Sequence, residues 1–189
     1  MTIYDKGLIR AMKQAYKEDG YYVAVIEDGI LIQSDSWGVL INADAVPNSI
    51  KSLIVLHNGS MPRFDSAVHI QKNECGDAML EAVIGTVEDL AKAYTANGGS
   101  RIKPTRLIMD GCRVWQTTDK LKIKRVHVDS QQILAGQSVD AYLVAGNYVY
   151  GRNWFGCMFI RTEMVVHEDV PLLDHLAEMQ WIPVEIADV

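Results

Sequence analysis

Residues 4–18 place Ile9, Met12, Ala15 and Tyr16 on one side, with Leu8 and Ala11 beside them, so the chain opens with the recurrence of an amphipathic helix. Asp5 near its start and Gly20 just past its end stand where capping favours them. Then the period changes. Residues 21–26, 30–33 and 39–41 are short β-branched and aromatic runs divided by Asp28-Gly29 and Ser34-Asp35-Ser36, which predicts a three-stranded meander. Over residues 46–56 two patterns compete, because Pro47 can open a helix and residues 53–56 can form a buried strand; a short helix running into a strand is expected. Residues 58–65 read as loop and Ser66–Gln71 as a weakly alternating strand. The next helix is expected over 76–94, with Met79, Val83, Val87 and Leu90 on one stripe, Glu81, Glu88, Asp89 and Lys92 largely off it, and Asn97-Gly98-Gly99 ending it.

A second meander is predicted from residues 107–110, 113–117 and 121–128, turning at Asp110-Gly111 and Thr118-Asp119. Its alternation slips between Ile123 and Val126, as a bulge would make it. Asp129-Ser130 suits the start of a short helix over 130–135, closed by Gly136. A third meander follows at 141–145, 148–150 and 155–166, then a last helix at 171–180 and an edge strand at 181–186.

Aligning the turns gives VIEDGILIQSDSWGVLI, LIMDGCRVWQTTDKLKI and LVAGNYVYGRNWFGCMFI, each an apolar strand, Gly turn, apolar strand, polar turn and apolar strand. Gly29, Gly111 and Gly146 coincide, and Trp37 and Trp154 each fall eight residues after their Gly. Helix-plus-meander units in series resemble the DNA sliding clamp fold over about residues 4–166. The resemblance implies an α+β protein of repeated helix-plus-antiparallel-meander units, with the sheets covered by helices on one face. It divides the chain into an N-terminal half-domain at 1–72, a helix-meander-helix-meander domain at 73–170 and a C-terminal helix and tail at 171–189, or else one compact unit. A clamp subunit carries further full domains. This chain has material for fewer, so strands are expected to lack partners and a homodimer or docking on another protein is expected.

With 49% hydrophobic and 22% charged residues among 189, the composition excludes a disordered, collagen-like or linker-like chain. Eighteen Lys and Arg against 24 Asp and Glu give a formal charge of −6, which argues against a surface that coats nucleic acid or anionic lipid throughout and leaves a local basic face open. Cys75, Cys112 and Cys157 are odd in number and free of any CxxC, so neither a disulfide framework nor a zinc knuckle is indicated. The first twenty residues lack a signal peptide's apolar run, and no stretch reaches the roughly 18 apolar residues of a membrane span. A soluble, cytoplasmic protein that engages no membrane is expected.

Lys6, Arg10, Lys13 and Lys17 are spaced four, three and four apart and form one basic stripe on a helix. A stripe of this kind can follow a phosphate backbone, each contact releasing counterions; the same residues also suit a solvated helix face. Clamp resemblance implies the first, since inner helices of that family contact duplex DNA through basic side chains. Arg101, Lys103, Arg106, Lys120, Lys122, Lys124 and Arg125 form a second basic group, readable as the outward side of a half-exposed strand. The competing class is a small enzyme with a site near Cys75, placed to lie at a helix N-terminus that favours thiolate, or in the acidic cluster of His167, Glu168, Asp169, Asp174, His175 and Glu178. His57 and His69 suit hydrogen-bonded positions in apolar surroundings. GxSxG, Walker A, GxGxxG and HExxH patterns are all absent from the sequence. The reading is therefore a binding or scaffold protein, a DNA-metabolism accessory, with no cofactor, no metal and no catalytic residue assigned.

Overall fold

The computed structural model describes residues 5–97, 100–118, 123–135, 137, 139, 142–153 and 155–163. Helix α1 (Lys6–Lys17) forms as its spacing predicts, burying Leu8, Ala11, Met12 and Ala15. It stops at Gly20, whose φ of +83° admits the left-handed turn that lets its N–H reach the Ala15 carbonyl at 2.8 Å. Strands β1 (Tyr21–Ile26), β2 (Gly29–Gln33) and β3 (Trp37–Asn42) make the first meander. Helix α2 (Asn48–Asn58) follows Pro47 and continues through residues 53–56, correcting the expected strand there. Ile50, Leu53 and Ile54 are its buried positions, a spacing that suits one helix face.

Strands β4 (Ser66–Gln71) and β5 (Glu74–Ala78) form a hairpin, so residues 74–78 are strand where the sequence suggested helix. Helix α3 (Leu80–Asn97) begins only after them. Strand β6 (Ser100–Met109) runs much longer than expected and tolerates Pro104 because its pairing with β7 (Cys112–Thr117) shifts register between Pro104 and Ile108. The Thr105 hydroxyl and carbonyl fill that irregularity: the hydroxyl donates to the Val114 carbonyl at 2.8 Å, and Arg113 Nη1 donates to the Thr105 carbonyl at 2.9 Å. The bulge therefore lies in β6. Strand β8 (Ile123–His127), where the slip was expected, pairs with β7 in unbroken register. Ser130–Leu134 is a 3-10 turn, and β9 (Tyr142–Ala145), β10 (Tyr148–Asn153) and β11 (Gly156–Arg161) complete the third meander.

Among the described residues all strand pairings are antiparallel, in one eleven-stranded sheet of order β5-β4-β1-β2-β3-β11-β10-β9-β6-β7-β8. The boundary expected between residues 72 and 73 falls inside the β4–β5 turn, and both sides of it belong to this sheet. Beyond β8 the edge turns back: Glu163 N–H donates to the Arg125 carbonyl at 2.8 Å, so the chain leaving β11 meets β8. Trp115 and Tyr142 pack edge-on, ring centres 5.3 Å apart, among Ile102, Val126, Val144 and Val149.

Helices cover both faces of the sheet, which corrects the expected one-sided cover. α1, α2 and the 3-10 turn lie over Tyr21, Val23, Ile30, Ile32, Val68 and Ile70. On the opposite face, Val83, Ile84 and Val87 of α3 meet Ala24, Leu31, Ala67 and Phe159. The reason is in the strands themselves. All five residues of β2 are buried, and a strand apolar on both sides needs a layer on each.

The aligned glycines do not occupy equivalent places. Gly111 and Gly146 lie within two-residue turns, second and first respectively, with φ of +74° and +56°. Gly29 instead pairs with Ile26 as the first residue of β2, where a Cβ would overlap the Ile41 carbonyl oxygen. Trp37 is buried in β3; Trp154 lies outside the described residues, as does the segment expected to form the last helix and edge strand.

Candidate functional site

The outer face of α1 is the candidate site, because burying Leu8, Ala11, Met12 and Ala15 leaves the intervening positions to solvent. Lys6, Arg10, Lys13 and Lys17 are all exposed, so the structure brings the stripe together as one face. With Ile9, Gln14 and Glu18 they line a shallow concavity of about 550 Å³. At 1.5 Å per residue the stripe extends about 16 Å, roughly five nucleotide steps along one strand of a duplex. Among the described residues, Arg10, Lys13 and Lys17 enter no ion pair. The flanking carboxylates are engaged at the helix ends: Asp5 accepts a hydrogen bond from the Ser49 hydroxyl, and Glu18 one from Gln14 at 3.3 Å.

The β4–β5 hairpin holds the helix in place from its C-terminal end. His69 Nε2 lies 3.0 Å from the Asp19 carbonyl, Gln71 Nε2 donates to the Glu18 carbonyl at 2.6 Å, and Lys72 N–H donates to the Tyr16 carbonyl at 2.8 Å. These groups satisfy backbone acceptors that a helix end leaves open. On the inner flank, Tyr16 stacks on His57 with ring centres 3.9 Å apart and planes at 9°, and the Tyr21 hydroxyl sits 2.9 Å from His57 Nδ1. Burial, followed by the charge of Lys13, holds the His57 ring below the usual imidazole value, while burial above all pushes Tyr21 well up. Both are neutral supports for the helix near neutral pH.

The second basic group is split. Arg101, Lys103 and Arg106 are exposed, but Arg125 is buried and its Nη2 lies 3.5 Å from Asp110 Oδ2. Lys120 and Lys122 lie outside the described residues. Cys75 stands on β5 and not at a helix N-terminus, which corrects the sequence expectation. Its exposed thiol points to the carbonyl oxygens of His57 and Gln71 at 3.6 and 3.8 Å. The helix N-terminus expected to activate this cysteine is therefore missing from its described surroundings. His167, Glu168, Asp169, Asp174, His175 and Glu178 lie outside the described residues; among those described, no group of three or more His, Cys, Asp or Glu could hold a metal. No described helix is long and apolar enough to cross a membrane.

Two grooves escaped the sequence reading. One, of about 380 Å³, runs between the C-terminal half of α1, the Ser34-Asp35-Ser36 turn and His127–Ser130. The other, of about 720 Å³, lies between residues 58–66 and β5. The first is made by segments far apart in the chain and leaves no local signature, whereas the second is lined wholly from residues 58–80. No protein-family model, curated protein or solved structure matches the chain.

Proposed function

We propose that this protein acts by binding and not by catalysis, as an accessory or scaffold module of DNA metabolism whose α1 face lies along a phosphate backbone. The observation that carries this reading is the exposed row of Lys6, Arg10, Lys13 and Lys17 on a helix whose other side is buried in the core. Lysine and arginine on a rigid helix neutralise phosphates without reading bases, so binding is insensitive to sequence and sensitive to salt. A net charge of −6 opposes approach, but a Debye length of about 8 Å at physiological salt confines that repulsion and leaves the local stripe effective. The order of helices and antiparallel meanders supports a clamp-like relationship within the same proposal.

Fluorescence anisotropy of a labelled 20-base-pair duplex, titrated with the full chain at several salt concentrations, tests it. Four phosphate contacts correspond to a slope of about −3.6 in log K against log salt. Replacing Lys6, Arg10, Lys13 and Lys17 together by Gln is expected to abolish binding with an unchanged circular dichroism spectrum, because all four side chains face solvent. Absence of binding by the unaltered protein even at low salt overturns the nucleic-acid reading, as does undiminished binding by the quadruple variant.

A further inference from the structure

We propose that β5 and the groove beside it receive an extended, basic segment of a partner protein, which adds to the sheet as a twelfth strand. β5 ends the sheet, and beyond its ladder with β4 no backbone hydrogen bond joins it to another described segment. Alternate residues of a terminal strand direct N–H and C=O groups outward, ready to pair with another chain. Glu74, Cys75, Gly76 and Asp77 are all exposed, so no described element covers this edge.

A groove of about 720 Å³ between residues 58–66 and the β4–β5 hairpin adjoins this strand and gives the added strand a place for side chains. Met61, Pro62, Ala78 and Leu80 are among its apolar lining residues, and its charged ones are Asp65 and Asp77 against Arg63. Phe64 and Met79, each between or beside lining residues in the chain, are 69% and 73% exposed. Large apolar groups left in water beside an open ladder are what a partner's alternate apolar side chains would cover.

Charge selects the partner. Residues 63–81 carry Asp65, Glu74, Asp77 and Glu81 against Arg63 and Lys72. None of those four carboxylates enters an ion pair among the described residues. A second copy of β5 would bring Glu74 and Asp77 to a seam already holding the same charges, which disfavours self-pairing. Nucleic acid is repelled for the same reason. An extended peptide with basic residues alternating with apolar ones fits the ladder, the groove and the charge together, and this site is separate from the α1 stripe.

The probe is a fluorescein-labelled peptide of sequence TKVKVKT, titrated with the full chain and followed by anisotropy. It is expected to bind about tenfold or more tightly than TEVEVET, and to lose about tenfold when alternate amides are N-methylated, since those amides make the new ladder. The double variant Glu74→Lys with Asp77→Lys is expected to reverse the preference between the two peptides while retaining the wild-type circular dichroism spectrum. The quadruple Gln variant of α1 should bind TKVKVKT unchanged, which separates this test from that of DNA binding. Failure of TKVKVKT to bind, indifference to N-methylation, or an unchanged preference in the double-Lys variant overturns the proposal. So does light scattering that shows a dimer dispersed by Asp77→Lys, because a second copy would then occupy the edge.

Discussion

Replacing Gly7 by Ala sets two known effects against each other, and the structure decides which wins. Alanine in place of glycine within a helix ordinarily stabilises by about 0.5–1 kcal/mol. At Gly7, however, a Cβ would overlap the carbonyl oxygen of Gln132 and lie 3.0 Å from its carbon. That oxygen belongs to the backbone and accepts the Ala135 N–H at 3.2 Å, so it cannot rotate aside without disturbing the 3-10 turn. Either α1 lifts from the turn or the turn deforms, and forced overpacking of this kind costs about 1–3 kcal/mol. The net expectation is a loss of about 1–2 kcal/mol, or roughly 2–8 °C in Tm for a chain of this length. Gly85→Ala in α3 is the matched control, since its added Cβ meets nothing within 4 Å, and it should stabilise by about 0.5–1 kcal/mol. Urea unfolding of both variants, monitored by circular dichroism, gives the comparison. A Gly7→Ala protein as stabilised as Gly85→Ala would refute the close packing of α1 on residues 130–134.

Acidification should destabilise the fold through His57, whose ring is held below its ordinary value of 6.5 by burial and then by Lys13. As pH falls below that value the unfolded chain takes up a proton that the folded chain resists, so stability is full above it and is lost as pH drops through the folded value. Thermal melts between pH 7.5 and 5 should show a shallower decline for His57→Gln than for the wild type, and identical slopes would exclude this histidine as the cause. Thiol alkylation at pH 8 should modify exposed Cys75 first, because burial pushes the Cys112 and Cys157 thiols up. Mass spectrometry showing Cys112 labelled as fast as Cys75 in native protein would contradict that order.

What the sequence disclosed depended on whether one face of an element met water. α1 was legible because Leu8, Ala11, Met12 and Ala15 recur on one side, and the same spacing made the basic stripe legible on the other. β5 was not: Glu74, Cys75, Gly76 and Asp77 are exposed, so this edge strand has no apolar alternation to betray it. α2 read partly as strand because Ile54, Val55 and Leu56 are consecutive apolar residues, although Val55 and Leu56 are exposed. The long β6 was hidden by Pro104, whose place at a register shift is fixed by Thr105 and Arg113, a tertiary arrangement. The glycine alignment overstated equivalence because Gly29 serves close approach to β3, whereas Gly111 and Gly146 serve turns. The groove between α1 and residues 127–130 and the two-sided helix cover belong to the assembled sheet and have no local counterpart.

The pairing of β3 with β11, from Gly156 opposite Ile41 to Ile160 opposite Trp37, has a consequence for a chain made from its N-terminus. Roughly 120 residues must be added after β3 before its partner exists, a wait of about 6–24 s at ~5–20 residues per second. During that interval β4, β1, β2 and β3 can pair in turn, yet the outer edge of β3 remains a raw flank of hydrogen-bonding groups in a crowded cell. Gly38 sits on that flank, where the Phe159 ring will later cover it. Nascent molecules therefore pass through a sticky stage set by connectivity and not by the strength of any contact. Slower translation lengthens that stage, and a holdase that shields the outer edge of β3 should raise the yield of folded chains.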